Sequence, residues 1–258
     1  MIETSPVLYT ILFVLLAWWS STGAILFLDQ LPARTYLTSM ASATGLAIGA
    51  LMMLALSSHS TVVANAYIGF SAALVIWGWQ EMAFLMGFVT GSRKSVCPPN
   101  ATEMQKFLYA TETIIYHEVA LVICMVALLA ASWHQPNQVG AHTFFILWVM
   151  RLSAKLNLFF GVRNKYESFL PRQLCYLKSY FGQRSINFLF PVVVTASSVV
   201  AFLLWQTALA PTATPFEHVG YSLLATLLTL AVLEHWFLII PLPVEKMWNW
   251  AMRSRNAN

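Results

Sequence analysis

The chain has 258 residues, of which 59% are hydrophobic and only 9% are charged. A soluble domain carries about 25% charged residues, so this composition excludes a water-soluble globule and favours a helix bundle in lipid. The net charge of +4 does not indicate nucleic-acid binding, because the basic residues are spread over several loops. We expect residues 1–258 to form a single membrane domain, with no room for a second, soluble one.

Seven apolar stretches are each long enough to cross a bilayer, which takes about 20 helical residues. The predicted spans are residues 7–28, 38–56, 63–89, 107–133, 141–160, 187–210 and 218–240. The third contains Glu81, and the fifth is interrupted by Arg151 and Lys155. We therefore predict an all-α, polytopic integral membrane helix bundle of about seven transmembrane helices.

The loop charges support this count, because Lys and Arg occupy alternate connections only. The cations outside the spans are Arg34 in the first loop, Arg93, Lys94 and Lys106 in the third, Arg163, Lys165, Arg172, Lys178 and Arg184 in the fifth, and Lys246, Arg253 and Arg255 in the C-terminal tail. Alternate connections of a seven-span bundle lie on one side of the membrane. The positive-inside rule then predicts an N-terminus outside, in the periplasm, and a cytoplasmic C-terminus.

Residues 161–186 form the only sizeable predicted soluble segment, an amphipathic cytoplasmic loop in which aromatic residues alternate with cations. Two interpretations stay open. The segment is an interfacial amphipathic helix lying on anionic lipid, or it is a docking surface for a partner.

The predicted spans also hold ionisable side chains, although each costs about 2.5–3.5 kcal/mol in hydrocarbon. The candidate buried polar site consists of Glu81, Glu112, His117, Glu118, Arg151, Lys155, Asn157, Glu234 and His235. At a rise of 1.5 Å per residue, Glu81, His117 and Arg151 lie about 15 Å from the cytoplasmic end of their spans. The pair Glu234 and His235 lies about 10 Å from that end. We therefore expect one polar layer in the inner half of the bilayer.

Three interpretations of this layer stay open from the residues alone. Carboxylates could balance Arg151 and Lys155 and fix the helix packing. Alternatively, the layer could bind a metal ion or a tetrapyrrole, such as haem or a bacteriochlorophyll precursor, and the candidate ligands would be His117, Glu118, Glu81, Glu234 and His235. Thirdly, it could be a proton or substrate path. The spacing is not diagnostic, since no HExxH or ExxH motif occurs.

Several long motifs resemble the PuhE family, which is also called putative photosynthetic complex assembly protein 2. They are GWQEMAFLMGFVTG at 78–91, YHE at 116–118, RLSAKLNLFFGVRN at 151–164, FLP at 169–171 and SYF at 179–181. The resemblance covers nearly the whole chain, especially from the third predicted span onward. Most of the candidate polar site falls within these motifs, whereas Glu234 and His235 do not.

The resemblance implies a membrane factor in assembly of the bacterial photosynthetic apparatus and in modulation of bacteriochlorophyll production. Reaction-centre or antenna polypeptides, or pigment-synthesis enzymes, are the implied partners, and the bacterial inner membrane, cytoplasmic or intracytoplasmic, is the implied location. The family supplies no catalytic residue, so the resemblance favours a non-enzymatic role. The alternative is a metal- or haem-dependent membrane enzyme of tetrapyrrole metabolism that uses the Glu/His layer.

Overall fold

The computed structural model describes residues 4–242, 244–248 and 250, so the tail cations Arg253 and Arg255 lie outside the described residues. All regular structure in the described ranges is helical. The long helices are α1 (Thr4–Asp29), α2 (Tyr36–Ser58), α3 (Val63–Leu85), α4 (Glu103–Glu112), α5 (Ile115–Ala131), α6 (Val139–Phe160), α7 (Leu189–Ala208) and α8 (Pro215–Phe237). Short 3-10 helices occur at Ala33–Thr35, Glu167–Phe169, Arg172–Tyr180 and Val244–Trp248.

The predicted class of a multi-pass, all-helical membrane protein is confirmed. Six helices (α1, α2, α3, α6, α7 and α8) are long and apolar enough to cross a membrane. The pair α4 and α5 passes the same test jointly but is bent by 57°, so the described chain has six such helices, or up to seven spans if the bent pair is one. The fourth predicted span, residues 107–133, is therefore not a single straight helix, since it breaks between Glu112 and Ile115.

The connections that follow α3, α6 and α8 meet at one end of the bundle. Gln173 Nε2 donates to the carbonyl of Leu85 at the end of α3. Asn164 Nδ2, just after α6, donates to the carbonyl of Phe237 at the end of α8. We call this the basic end, because the cations outside the long helices of the described chain lie in its connections: Arg34, Arg93, Lys94, Arg163, Lys165, Arg172, Lys178, Arg184 and Lys246. Lys106, which we predicted in the third loop, lies in the first turn of α4 instead.

The opposite end is formed by the connections that follow α2 and α5. Asn137 Nδ2 donates to the carbonyls of Ser57 and Asn65, each at 3.0 Å. His59 Nδ1 lies 2.8 Å from Gln135 Oε1. The alternation of chain ends inferred from the loop charges is therefore present in the fold.

Helices α3 and α8 form the centre of the bundle. In each, 56% of the most apolar stretch is buried, against 17–28% in α1, α2, α6 and α7. One core cluster joins α3 to α1, α6 and α8 around Phe70 and Leu223, and another joins α3 to α2, α5 and α6 around Phe144 and Leu121. Side chains on α3 can therefore reach most of the other helices.

A left-handed glycine ends α3 earlier than the apolar pattern predicts. Gly87 has φ +81°, a conformation that glycine adopts at low cost. The amide of Phe88 donates to the carbonyl of Ala83, and the amide of Gly87 donates to that of Phe84, which is the Schellman arrangement. The chain therefore leaves the helix at Leu85 and crosses the bundle end instead of continuing to residue 89.

The connection between α3 and α4, which we call the crossing segment, supports the break between α4 and α5. The amide of Arg93 donates to the carbonyl of Glu112, and the amide of His117 donates to that of Thr90. The crossing is close, because a Cβ atom on Gly91 would lie 2.0 Å from the Glu112 carbonyl oxygen. Backbone groups exposed by a helix break in a membrane protein need partners within the protein, and the crossing segment provides two of them.

Residues 161–186 differ from a single interfacial α-helix. The segment contains 3-10 turns, and its residues Leu174, Leu177 and Tyr180 are buried. Leu174 and Leu177 pack against Phe84 in the last turn of α3. The segment therefore covers the end of α3, and only part of its surface remains for lipid or a partner.

Tyr180 links residues 161–186 to the crossing segment through two hydrogen bonds. Arg93 Nε donates to Tyr180 Oη at 2.8 Å, and Tyr180 Oη donates to the carbonyl of Ser95 at 2.9 Å. The hydrogen bond to Tyr180 raises the pKa of the Arg93 guanidinium above its ordinary value. The two connections at the basic end thus form one structure over the helix ends.

Replacing Gly91 tests whether the crossing segment holds the break. We expect Gly91→Ala to lower the free energy of unfolding by about 1–3 kcal/mol, the range for a methyl group forced into a packed site. Thermal unfolding of the purified protein in detergent would measure the loss. Gly45→Ala is the matched control, because no atom lies within 4 Å of a Cβ there and alanine favours a helix by about 1 kcal/mol. Equal melting of Gly91→Ala and the native protein would contradict the packing described.

Candidate functional site

The helix ends near the basic end bring five ionisable side chains together. Glu81 lies in the last turn of α3, and His117 and Glu118 lie in the first turn of α5. Arg151 and Lys155 are one turn apart on α6, so they share a face. The sequence predicted that Glu81 and His117 lie about 15 Å from the cytoplasmic ends of two continuous helices. This distance was wrong, because α3 ends at Leu85 and α5 begins at Ile115, so both residues lie near a helix terminus.

Glu81 and Arg151 form the first ion pair of the site. Glu81 Oε2 lies 3.0 Å from Arg151 Nη2, and Glu81 Oε1 lies 3.8 Å from His117 Nε2. His117 is fully buried and Glu81 is nearly so. The Arg151 side chain remains 41% exposed, although Arg151 lies nine residues before the end of α6, about 14 Å along the axis.

Glu118 and Lys155 form the second ion pair. Lys155 Nζ donates to Glu118 Oε1 at 2.7 Å, and both side chains are less than one-fifth exposed. The indole of Trp148 donates to the other carboxylate oxygen of Glu118 at 3.3 Å. The carboxylate therefore has a partner on each oxygen.

The ring of Phe84 lies between the two ion pairs. Its centroid is 4.7 Å from that of the His117 imidazole, and Lys155 Nζ lies 5.1 Å from the same ring, within the range of a cation–π contact. The five ionisable residues are thus one group, which we call the polar cluster: Glu81, His117, Glu118, Arg151 and Lys155. Two carboxylates balance two cations within it.

The polar cluster is not fully satisfied by its own members. Among the described residues, Glu81 Oε1, Arg151 Nε and both ring nitrogens of His117 are buried and have no hydrogen-bond partner. The large majority of buried side-chain polar atoms in proteins are hydrogen-bonded. A neutral imidazole has one donor and one acceptor nitrogen, so the cluster offers two donors and two acceptors. This set suits a small polar ligand or bound water.

Two further predicted site residues, Asn157 and His235, belong to a separate network. His235 Nε2 lies 2.6 Å from Ser153 Oγ, and Asn157 Nδ2 donates to the carbonyl of Ser153. Asn187 Nδ2 donates to Asn157 Oδ1 at 3.0 Å. The carbonyl of Ala231 lies 2.8 Å from His235 Nδ1, so that nitrogen carries the proton. This network joins α8, α6 and the start of α7.

Sequence reasoning missed Ser153 and Asn187. Asn187 Oδ1 accepts hydrogen bonds from the amides of Leu189 and Phe190, so Asn187 caps α7. An asparagine directly before an apolar run is a recognisable capping signal. A serine within a helix carries no such signal, because its partner lies on another element.

The last two predicted site residues have no hydrogen bond or ion pair with the polar cluster in the described chain. Glu234 is exposed on α8 and accepts a hydrogen bond from the Trp18 indole at 2.8 Å. Glu112 is exposed at the end of α4. Within the described chain, neither forms an ion pair with Arg151 or Lys155.

The five candidate metal ligands do not converge in the described part of the chain. No group of three or more His, Cys, Asp or Glu residues there could hold a metal ion. Among the five, the side chains of Glu81 and His117 approach each other, at 3.8 Å. The side-chain partners of the others are Lys155 for Glu118, Trp18 for Glu234 and Ser153 for His235. A tetrapyrrole does not fit on His117 either, because the fully buried imidazole packs against Phe84 and has no open face for a macrocycle.

Removing one member of the Lys155–Glu118 ion pair should lower the free energy of unfolding more than removing both charges does. We expect Lys155→Met to lower the free energy of unfolding by about 3–5 kcal/mol, because Glu118 would then be an unpaired buried charge. The double variant Lys155→Met with Glu118→Gln should recover most of this loss. Denaturant titration in micelles, analysed as a double-mutant cycle, measures both.

Lys94→Met is the matched control, since Lys94 is exposed at the basic end, and it should melt like the native protein. Additive losses in the double variant would show that the two side chains do not depend on each other.

Comparison with known proteins places the chain in a family without a named activity. The chain is 38% identical over 247 residues to the "Uncharacterized 30.4 kDa protein in puhA 5'region" of Rhodobacter capsulatus, with 94% of this chain and 90% of that protein covered. No solved structure matches the chain. A family model described as "Protein of unknown function (DUF3623)" matches residues 4–258. The chain therefore belongs to the DUF3623 family.

Proposed function

We propose that the protein is a membrane factor in assembly of the bacterial photosynthetic apparatus and in modulation of bacteriochlorophyll production. The observation that carries this proposal is the similarity, over nearly the full length, to a protein of the puhA 5' region. The motifs that resemble the PuhE family support it. The proposed role is non-enzymatic.

The polar cluster is the proposed functional centre. All five members lie in the motifs at 78–91, 116–118 and 151–164 that carry the resemblance. A purely structural pair needs only charge balance, whereas His117 adds two buried nitrogens that have no hydrogen-bond partner among the described residues. The Arg151 side chain beside them is 41% exposed. We infer that a small polar ligand, or a polar group of a larger one, completes the cluster.

The proposed setting is the bacterial inner membrane, cytoplasmic or intracytoplasmic. A single domain spans residues 1–258, its N-terminus faces the periplasm, and its basic end faces the cytoplasm. The segment 161–186 then presents exposed Arg163, Arg172 and Arg184 to partners. Reaction-centre or antenna polypeptides, or pigment-synthesis enzymes, are the proposed partners.

Glu81 variants test whether the polar cluster acts in function. In a phototrophic bacterium that lacks its own copy of the gene, we expect the native gene to restore the absorption of the reaction-centre and antenna complexes. Glu81→Gln should fail, because it removes the charge that balances Arg151 and alters the His117 environment. The double variant Glu81→Gln with Arg151→Met should restore a folded, membrane-inserted protein but not the pigment complexes.

The matched control is Glu112→Gln, a change at an exposed glutamate of α4, which should complement fully. Western blots and size-exclusion chromatography would verify that each variant is present and folded. Full complementation by the double variant would contradict a functional role for the polar cluster and would leave charge balance as its purpose.

A spectrum separates the proposed role from a metal- or haem-dependent enzyme. The protein is purified in mild detergent from phototrophic cells whose pigment complexes are normal. It should then be free of bound haem and of stoichiometric iron. Absorption spectroscopy and metal analysis measure this. Stoichiometric haem, chlorin or iron that is lost in His117→Leu would favour the enzyme instead.

A further inference from the structure

A cavity between α2, α3 and α5 lies away from the polar cluster. Its volume is about 150 Å³, and it is partly open at the side of the bundle. The lining residues are Thr44, Ala47, Ile48, Leu51, Ile76, Trp79, Cys124, Ala127 and Leu128. All three helices contribute to its wall.

The wall of this cavity offers almost nothing to a polar ligand. The Trp79 indole donates to Thr44 Oγ1 at 3.0 Å, and Gln80 Nε2 donates to Cys124 Sγ at 2.9 Å. The polar atoms nearest the wall are therefore occupied by each other. Apolar cavities of about 150 Å³ stay dry and accept hydrocarbon about as large as benzene. A segment of about six methylene groups has this size.

The cavity opens where lipid chains would lie. Ile48 at its edge is 57% exposed, and it lies on a helix that is long and apolar enough to span a membrane. Thr44 is eight residues and Leu51 fifteen residues from the start of α2 at Tyr36, or about 12 and 22 Å along the axis. These positions fall within the hydrocarbon core, which is about 30 Å thick.

A cation lies at the basic end of the same helix. Arg34 belongs to the 3-10 turn directly before α2 and is exposed. It is ten residues from Thr44, about 15 Å along the axis. An acyl chain that runs along α2 from a phosphate at Arg34 would reach the cavity with its middle and terminal methylenes.

We propose that this cavity binds one acyl chain of an anionic phospholipid whose phosphate pairs with Arg34. The site is independent of the polar cluster and of the proposed role in photosynthesis. The bound acyl chain would fill the space between α2, α3 and α5 and contact all three helices.

Photo-crosslinking tests the site directly. The full-length protein is reconstituted in vesicles that contain phosphatidylglycerol with a diazirine on its acyl chain, and cross-linked residues are located by mass spectrometry. Labelling should concentrate on the cavity wall. In Ala127→Phe it should fall by about tenfold, because the ring occupies the volume of several methylene groups. Arg34→Gln should lower it to the level seen with the same label on phosphatidylcholine.

Ala41→Phe is the matched control, since Ala41 is exposed on α2 and does not line the cavity; its labelling should equal that of the native protein. Ile48→Trp, at the exposed edge, repeats the test if Ala127→Phe fails to fold. Labelling spread evenly around the lipid-facing helices would mean annular lipid only and would overturn the proposal. Unchanged labelling in both filled variants, or in Arg34→Gln, would overturn it as well.

Discussion

The ion pair between Glu81 and Arg151 sets the level at which α3 and α6 meet. It joins α3, a central helix of the bundle, to α6 across a distance of 3.0 Å. Either charge alone would cost several kcal/mol in hydrocarbon, so both helices must place their side chains at the same level. The Lys155–Glu118 pair adds α5 to this arrangement. Three helices are thereby held at one level near the basic end.

The helix ends follow from this arrangement. α3 stops at Leu85 and α5 starts at Ile115, so the segment between them can cross the bundle end and bond to the break through Thr90 and Arg93. Non-helical backbone at membrane depth is tolerated only where protein or a cavity surrounds it. The cover formed by residues 161–186 provides such surroundings, because Leu174 and Leu177 pack against Phe84. The same phenylalanine contacts His117 and Lys155 in the polar cluster.

Hydropathy and loop charges were sufficient to predict the helical class and the alternation of chain ends. They could not predict the break at 113–114, because residues 107–133 contain no Gly or Pro. The backbone that packs against the break, at Gly91, lies in another part of the chain. Five of the nine candidate residues meet in the polar cluster. Ser153 instead connects Asn157 with His235, and two further candidates, Glu112 and Glu234, are exposed. Hydropathy could not predict these positions, because the rotation of each helix about its axis is set by packing against its neighbours.

We infer that the polar cluster serves function beyond its role in folding, and replacing His117 is the sharpest test of this. Its ring nitrogens have no hydrogen-bond partner in the described chain, so an apolar residue of similar size should be neutral or stabilising there. We expect His117→Leu to melt at or above the temperature of the native protein and yet fail to restore photosynthetic complexes in a strain lacking the gene. Full restoration by a stable His117→Leu protein would show that the imidazole has no function beyond folding.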